Sequence, residues 1–420
     1  MTRTIAAGLG LIAACAAMAR IPNLVEAPRL FLLLFAAAFA CYAAAIWRRP
    51  AGSGARSVGV VLAVALIARA VLLSAPPSLS TDAYRYVWDA RVAHAGISPY
   101  RYPPWAKELE PLRDSDVFPR LNHPTWLTIY PPGAQLFFQA VYRLRPDSVL
   151  AMKVALGMAE LIGLAALGGL LRSRGRPLWH VVIYAWNPLV LVEIWGTGHL
   201  DALVIPAVTA AAWAATRARY ALVGVLLAIG ALVKLYPAAL LALLPVAAWP
   251  AAGGAFLVTA LAGYLPGVLS GAATLGSLPR YIMEESFNPG VLRALVDIPE
   301  LSLAAAVLWV GVVGAIRRDA PLTDRAVPLI GGLLLLSLNI FPWYAVWLVP
   351  FLAVSPSVPW IAFTGTIALA YTFFLQQPWS IPWWARAVEF APLALGLAWW
   401  LATRHPAPRW QEDQPPARPA

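Results

Sequence analysis

Charged residues are scarce in this sequence of 420 residues, because Asp, Glu, Lys and Arg together make up only 12% of it. Soluble globular domains carry about 25%. The shortage, together with 60% hydrophobic residues and a mean hydropathy of +0.69, indicates an integral membrane protein. The formal net charge of +11 then reflects arginines in short cytoplasmic loops, and nucleic acid is not an expected partner.

Cysteine is nearly absent as well. Cys15 and Cys41 both lie in apolar segments, so they provide neither a disulfide framework nor the spacing of a metal site. The sequence also lacks a Gly-rich phosphate loop and a soluble domain large enough to bind a nucleotide sugar. We therefore expect no cofactor and no metal ligands, while a divalent metal stays compatible with the residues. Any activated sugar donor would come from the membrane.

The N-terminal stretch MTRTIAAGLGLIAACAAMAR has two interpretations. It resembles a signal peptide, and IAAC within it resembles a lipoprotein cleavage box. Another apolar run follows at once, at residues 30–46, which favours an uncleaved first span.

Long apolar runs are what the sequence has in abundance. A membrane-spanning helix needs about 20 apolar residues, and helices satisfy their own backbone hydrogen bonds in lipid. The predicted fold is an all-α polytopic membrane protein with about 14 (12–14) transmembrane helices. It forms a single domain over residues 1–403, followed by a disordered cytoplasmic tail at 404–420. The candidate spans are 4–19, 29–47, 57–75, 148–171, 178–196, 200–215, 220–236, 237–250, 254–270, 300–316, 326–342, 344–355, 358–375 and 386–403.

Arginine-rich loops set the predicted orientation. Placing them in the cytoplasm gives one topology with both termini inside, and only the turn with Arg20 and Arg29 disagrees. The outer face then carries two long loops, residues 76–147 and 271–299. Segment 129–144 is interpreted as a helix lying in the membrane interface, because a span there would reverse every later loop. The basic loops are 47–56, 172–177, 216–219 and 317–325.

The stretch SLSTDAYRYVWDARVAHAGISPYRYPP (78–104) places the densest run of acids, bases and aromatics directly after an apolar segment. Asp82 is predicted to lie at the outer membrane surface, as either a helix cap or a catalytic base. The length and aromatic content of the 76–147 loop favour the base, although aromatic rings suit a membrane interface as well as sugar rings. Residues of this loop predicted to line a substrate site are Tyr84, Arg85, Trp88, Asp89, His123 and Tyr130.

A second cluster of ionisable residues surrounds one predicted outer turn, in WNPLVLVEIWGTGHLDALVIPA. Glu193, His199 and Asp201 lie there, and buried charges next to apolar spans are costly enough to suggest a function. His199 and Asp201 are close enough in sequence to hydrogen-bond each other. Capping of the next helix by Asp201 is the alternative to a role in the site.

Lys234 is the single charge in the apolar stretch ALVKLYPAALL. It either reaches the membrane surface by snorkelling or binds an anion, and the polar character of the outer face favours phosphate. Arg280, in the polar outer segment 279–295, is predicted to bind the same phosphate. Other residues predicted to line the site are Tyr236, Trp343 and Tyr344.

These residue types suit one reaction. When a sugar on a lipid phosphate is transferred, the leaving phosphate is a weak base that needs cations such as Lys234 rather than a general acid. The acceptor hydroxyl needs a general base, so one carboxylate suffices, whereas glycoside hydrolysis normally requires a pair. In-line attack by the hydroxyl would invert the anomeric carbon.

The segments together resemble the glycosyltransferase-C superfamily, and in particular bacterial polyprenyl-phosphate-mannose-dependent mannosyltransferases. The matching stretches are STDAYRYVWDARVAHAGISPYRY, NHPTWLTIYPP, WNPLVLVEIWGTGHLDAL, LVKLYP and NIFPWYAVWLVP, within residues 78–350. The resemblance implies a glycosyltransferase-C-like helix bundle, Asp82 as general base and Lys234 as a ligand of the donor phosphate. It also implies that the GHLD turn lines the site.

The resemblance also implies the partners, which are a polyprenyl-phosphate sugar donor, a glycan or glycolipid acceptor and membrane lipid. The expected activity is transfer of a hexosyl group, expected to be mannosyl, on the periplasmic or extracellular face of an inner or plasma membrane. One departure from the superfamily matters, because its acidic loop usually follows the first span and here follows the third. Two extra N-terminal spans account for it, and Asp89 is the alternative base.

Three other functions fit part of the pattern. A transporter or flippase places charges near the membrane midplane within internal repeats, whereas these charges gather at one face. A polymerase or ligase of a lipid-linked polysaccharide would share the donor but transfer a whole oligosaccharide. A membrane scaffold would transfer nothing.

Overall fold

The computed structural model describes residues 2–47, 54–316 and 318–403. Within these ranges all regular structure is helical, which confirms the predicted all-α class. The predicted tail at 404–420 and parts of the basic loops 47–56 and 317–325 lie outside the described residues.

Eighteen α-helices follow one another along the described chain. They are α1 (Thr2–Ala19), α2 (Pro28–Trp47), α3 (Ala55–Leu73), α4 (Asp82–His94), α5 (Pro132–Leu144), α6 (Val149–Ser173), α7 (Val181–Ala185), α8 (Pro188–Val190), α9 (Asp201–Ala215), α10 (Tyr220–Ala231), α11 (Trp249–Leu269), α12 (Leu278–Glu284), α13 (Val291–Leu295), α14 (Pro299–Ala315), α15 (Leu322–Leu336), α16 (Val349–Val354), α17 (Val358–Thr366) and α18 (Trp383–Thr403). Short 3-10 segments cover Lys107–Leu112, Phe118–Arg120, Leu178–His180, Tyr236–Leu243, Val246–Ala248, Pro342–Leu348 and Ile367–Leu375, and Leu191–Thr197 is a π-helix.

Six helical stretches of the described chain are long and apolar enough to cross a membrane. A pair bent by 54°, Leu178–Ala185 with Pro188–Thr197, gives a seventh if it is one span. Four further apolar helices have 10–17 residues, which is short for a bilayer. The chain is therefore a membrane protein, and the predicted count of about 14 spans is not confirmed. The six are Thr2–Ala19, Pro28–Trp47, Ala55–Leu73, Val149–Ser173, Val246–Leu269 and Val358–Leu375.

The segment predicted to lie in the interface forms α5, which begins at Pro132. Proline suits the first turn of a helix because its missing N–H has no partner there. The amides of Gly133 and Ala134 instead donate to the carbonyl of Leu232 at 2.9 and 3.2 Å. A Cβ on Gly133 would lie 2.8 Å from that carbonyl oxygen, so glycine permits the approach. α5 is thereby fixed beside the segment that carries Lys234.

Helix α6 extends from the Asp82 end of the molecule to the opposite end. Near its start, the Lys153 ammonium donates to the carbonyls of Leu73 and Ala75, just before Asp82. Beyond its last turn, Arg174 pairs with Asp324 at 3.4 Å. With 25 residues at about 1.5 Å of rise each, α6 separates these contacts by most of a bilayer. The basic loop 172–177 therefore lies at the end opposite Asp82.

A buried ion pair holds three segments of the core together. Arg69 of α3 and Glu160 of α6 form two hydrogen bonds, at 2.7 and 3.0 Å, and both side chains are essentially unexposed. Trp195 donates to the same carboxylate at 3.1 Å, and Arg69 also donates to the carbonyl of Ala185 at 2.8 Å. Because every charge has partners, the cluster is stable in a dry interior.

Candidate active site

Asp82 is the first residue of α4, directly after Thr81, whose side chain makes no capping hydrogen bond. The Asp82 carboxylate turns away from its own helix. Asn122 donates to its Oδ1 at 2.6 Å, and His199 Nδ1 lies 3.6 Å from its Oδ2. The side chain is 17% exposed, so Asp82 is held on two sides and open on a third, and it is not the cap of α4.

A tight turn brings His199 to Asp82. Gly198 ends the π-helix at φ +83°, a conformation that favours glycine, and a Cβ there would lie 2.8 Å from the Lys153 side chain. The His199 amide donates to the carbonyl of Glu193 at 3.0 Å. His199 Nε2 lies 3.4 Å from the Glu193 carboxylate, so the imidazole stands between two carboxylates.

Partners on the C-terminal part of the chain complete this cluster. The Glu193 carboxylate accepts a hydrogen bond from Tyr371 at 2.8 Å. The His199 ring stacks on Trp343 with centroids 3.8 Å apart and planes at 18°. His199 and Glu193 are fully buried. Three segments far apart in the sequence therefore meet behind Asp82.

The charges in the cluster support one another. Burial by itself raises the pKa of Asp82, but neighbouring His199, Lys234 and Asn122 outweigh it and leave that pKa below its ordinary value. Burial likewise lowers the pKa of His199, but Asp82 and Glu193 outweigh it and raise that pKa above its ordinary value. The two shifts favour the carboxylate form of Asp82 and the imidazolium form of His199.

Asp201 does not pair with His199, so that prediction is wrong. It lies at the start of α9, where both of its oxygens accept from the Lys234 ammonium at 2.9 Å. Trp347 also donates to Asp201 at 2.5 Å, and the ammonium lies 4.5 Å from the Tyr344 ring centroid. The buried anion that Lys234 requires is thus Asp201, and the ammonium is fixed with 18% of its side chain exposed.

Two cavities meet at Asp82. One of about 410 Å³ and one of about 850 Å³ share part of their lining. Asp82 is the single carboxylate among these shared residues, and the rest of the shared wall is aromatic or aliphatic. The residues in both linings are Asp82, Ile129, Tyr130, Tyr281 and Trp343.

The smaller cavity, here called the apolar cavity, combines a cation with a hydrocarbon wall. Lys234 lines it, and so do two groups whose buried polar atoms have no protein partner, the Tyr236 hydroxyl and the Asn339 amide nitrogen. These atoms are hydrogen-bond donors available to a ligand. The aliphatic part of the wall consists of Leu200, Val233, Leu235, Ala239, Leu278, Ile282, Leu303, Ala306, Leu333, Leu336 and Leu338.

The larger cavity, here called the polar cavity, has a different wall. Polar groups on one side include Arg85, Asn122 and His123, and His123 lies 3.3 Å from the Glu285 carboxylate. Aromatic rings supply much of the remainder, a combination that suits the hydroxyl edges and C–H faces of sugars. These rings are Trp126, Tyr130, Tyr281, Phe287, Phe341, Trp343, Tyr371, Phe373, Phe374 and Trp379.

Several predicted site residues have structural contacts instead. Asp89 is buried and accepts from Arg85 and from Gln135, each at 2.9 Å. It lines neither cavity. Trp88 packs on Phe118 with centroids 5.4 Å apart and is also absent from both linings. Asp89 therefore orients Arg85, which does line the polar cavity, and is poorly placed to act as the base.

Tyr84 and Arg280 are also predicted site residues, but their side chains lie outside both cavities. Tyr84 lies under the Arg120 guanidinium, 5.1 Å from its ring centroid. Arg280 forms an exposed ion pair with Glu284 at 2.8 Å and stacks over Trp126. Neither Tyr84 nor Arg280 lines either cavity. The structure therefore does not bring Arg280 to Lys234, because its own helix α12 supplies a partner one turn away.

The sequence interpretation did not assign several residues that hold or line the candidate site. Asn122, Tyr281, Asn339, Trp347 and Tyr371 are among them. Asn122 stands in the quoted NHPTW stretch, and Asn339 and Trp347 stand in NIFPWYAVWLVP. In the sequence, polar side chains next to aromatic residues in these stretches are the feature that could have identified them as site residues.

A DxD spacing, Asp114-Ser115-Asp116, occurs in the segment between α4 and α5. Asp114 accepts from Arg91 at 2.6 Å, and Asp116 pairs with Arg120. Both acids are therefore occupied with the loop's own arginines. Among the described residues no group of three or more His, Cys, Asp or Glu side chains is arranged to hold a metal ion.

Comparison with known proteins supplies the family. The profile of the MptA_B family, described as alpha-(1->6)-mannopyranosyltransferase, N-terminal domain, matches residues 7–253. That range includes Asp82, His199 and Lys234. No curated protein matches the sequence.

Proposed function

The chain belongs to the alpha-(1->6)-mannopyranosyltransferase family, and on that premise we propose that it transfers a mannosyl group from a polyprenyl-phosphate donor to a hydroxyl of a glycan or glycolipid. Family membership and the apolar helices make it a membrane mannosyltransferase. The donor, the acceptor, the inverting mechanism and the outer-face location are the parts proposed here.

One observation carries the proposal. Asp82 stands where an apolar cavity with a cation meets a polar cavity with aromatic walls. A transferase needs its base between donor and acceptor, because the base must reach the attacking hydroxyl. A lipid phosphate matches the hydrocarbon wall and the cation of the apolar cavity, and a glycan matches the polar and aromatic wall of the other cavity. These matches support binding of the donor in the apolar cavity and of the acceptor in the polar cavity.

The apolar cavity suits a phosphate attached to a hydrocarbon chain. The ammonium of Lys234 is fixed by Asp201, so it is preorganised for an anion and would stabilise the departing phosphate. Tyr236 and Asn339 offer further unpartnered donors on the same wall. The aliphatic residues of α14 and α15, such as Leu303 and Leu333, would contact the first isoprene units.

Asp82 acts as the general base in this mechanism. It accepts the proton of the acceptor hydroxyl as that oxygen bonds to the anomeric carbon, and the bond from that carbon to the phosphate oxygen breaks. The leaving phosphate keeps the bonding electrons as a monoester. Because the attack inverts the carbon, an α-linked product, as the family description names, requires a β-linked donor.

The arrangement of charges supports an orientation. The basic loop 172–177 pairs with the first turn of α15 at the end opposite Asp82, and basic loops favour the cytoplasmic side. The proposed site then faces the periplasm or exterior of an inner or plasma membrane, with both termini cytoplasmic. An even number of spans keeps both termini on the cytoplasmic side, and the proposed number is about 14.

The test uses the full-length protein in lipid nanodiscs with labelled β-linked polyprenyl-phosphate mannose and a mannose-terminated acceptor. A parallel reaction supplies nucleotide-linked mannose instead. We expect addition of single mannosyl units from the lipid donor alone, with an α configuration in the product by NMR. Transfer from the nucleotide donor only, transfer of whole oligosaccharides, or a β-configured product would overturn the proposal.

A further inference from the structure

The buried imidazole of His199 stands between two carboxylates and has no other polar partner. Neither ring nitrogen makes a hydrogen bond within the described chain, yet one lies 3.6 Å from Asp82 and the other 3.4 Å from Glu193. A carboxylate can only accept, so both nitrogens must carry protons for the two approaches to be favourable. Contacts of catalytic groups are often this long before substrate binds.

The other charged groups around His199 are already occupied. Asp201 is neutralised by Lys234, and Lys153, packed beneath Gly198, donates to two backbone carbonyls. The Tyr86 hydroxyl accepts from the amide of Leu200 at 3.3 Å. Tyr371 donates to the far side of Glu193, and Trp343 covers one face of the imidazole. Asp82 and Glu193 are thus the two groups left to balance its charge.

We propose that His199 is a positioning residue for Asp82: held as an imidazolium by Glu193, it fixes the Asp82 carboxylate at the junction of the two cavities. The inference rests on the proposed function, because it assigns a role relative to the base. Asn122 holds the other Asp82 oxygen at 2.6 Å, so the carboxylate has two anchors and keeps a lone pair for the acceptor hydroxyl.

The arrangement also accounts for the return of the base to its starting state. During transfer the hydroxyl proton moves to Asp82, while His199 keeps both of its protons and Glu193 keeps its charge. A protonated Asp82 beside an imidazolium loses its proton readily, because the neighbouring positive charge favours the carboxylate. The proton leaves through the exposed side of Asp82, and no further group is consumed.

The first test needs no substrate. The chain has 5 histidines, so histidine labelled on its ring can be followed by NMR in the full-length protein, with His199→Gln identifying the signal. We expect His199 to titrate above the 6.5 of an ordinary histidine, and to titrate lower in Glu193→Gln and in Asp82→Asn. A neutral His199 at pH 7, or a titration unchanged in both variants, overturns the inference.

The second test separates positioning from folding. His199→Gln should lower kcat about 10-fold or more while the donor KM changes little, and it should move the acid limb of the pH profile upwards because Asp82 loses a neighbouring cation. Glu193→Gln should do the same to a smaller extent. The matched control is His94→Gln, at an exposed histidine of α4, which should behave as wild type.

The outcomes distinguish this inference from the proposed function. If Asp82→Asn abolishes transfer but His199→Gln keeps the wild-type kcat and acid limb, the base stands and the positioning role fails. If transfer survives Asp82→Asn, the proposed base itself fails, and the NMR titration still reports on the His199 contacts.

Discussion

The Arg69–Glu160 cluster and the Asp82–His199–Glu193 cluster both lie in the helical core, and they are built differently. The Arg69–Glu160 cluster is closed, since its ions are joined by two short hydrogen bonds and flanked by Trp195 and a backbone carbonyl. The Asp82–His199–Glu193 cluster is open, with ion-pair distances of 3.6 and 3.4 Å and both ring nitrogens unpartnered.

The completeness of hydrogen bonding distinguishes buried charges that stabilise the packing from buried charges that are candidates for a function. A buried ion pair with complete hydrogen bonding adds specificity to the packing and has nothing left to offer a ligand. Unsatisfied buried groups cost free energy, so an open cluster that reaches two cavities through Asp82 is a candidate functional site. The Lys234–Asp201 pair lies between these extremes, because Asp201 is fully buried whereas Lys234 is 18% exposed.

The largest effect on stability should come from opening the closed cluster. Glu160→Ala leaves Arg69 as an unpaired buried charge, which costs about 3–5 kcal/mol of folding free energy. We expect a sharp fall in the unfolding temperature of the protein in detergent. The double variant Arg69→Met/Glu160→Leu is the control and should recover most of the loss. A Glu160→Ala protein as stable as wild type would contradict the structural role.

A substitution in the half-open pair should affect both folding and binding, because loss of the Lys234 ammonium leaves the buried Asp201 carboxylate without its cation. Lys234→Ala removes a charged donor, and such hydrogen bonds contribute about 1.5–3 kcal/mol. We expect the donor KM to rise about 10- to 100-fold, with Lys234→Arg intermediate. Lys107→Ala, at an exposed lysine between α4 and α5, serves as the matched control. An unchanged donor KM in Lys234→Ala would remove this residue from phosphate binding.

The open cluster should give a pH-dependent contribution to stability. Because the pKa of His199 is raised on folding, its contribution is fully present below pH 6.5, the ordinary value, and is lost as the pH rises through the raised value. The difference in unfolding temperature between wild type and His199→Gln should therefore shrink towards alkaline pH. A difference that grows with pH would contradict the imidazolium.

The smallest effect belongs to an ion pair outside both clusters. Arg280 and Glu284 are each about half exposed, and exposed pairs contribute about 0.2–1 kcal/mol. Arg280→Ala should leave the unfolding temperature and the donor KM close to wild type. A donor KM raised as far as in Lys234→Ala would restore Arg280 to the phosphate site.

Part of the candidate site could be predicted from short stretches of the sequence. Asp82 stands out because a dense polar run follows an apolar one, and Lys234 stands out as a lone charge. The helical class and the positions of the apolar helices follow from composition in the same way. In each case the signal lies within about 20 residues.

Contacts between distant segments could not be predicted in this way. His199 lies two residues from Asp201, yet it faces Asp82, because the left-handed Gly198 turns it away from α9. Asn122 reaches the cluster from a loop and Tyr371 from the distant helical stretch Val358–Leu375, and both approaches depend on tertiary packing. The number of spans is also undetermined by hydropathy alone, since helices such as α9 and α10 are apolar but short.

The most direct test of the account is the rate of mannosyl transfer per folded molecule for Asp82→Asn and Asp89→Asn, measured against wild type in the same membranes. Asparagine keeps the shape of aspartate but cannot accept the proton. We predict a loss of about 1,000-fold for Asp82→Asn, with the rate per folded molecule largely retained in Asp89→Asn. Retained transfer in Asp82→Asn with loss in Asp89→Asn would contradict the account.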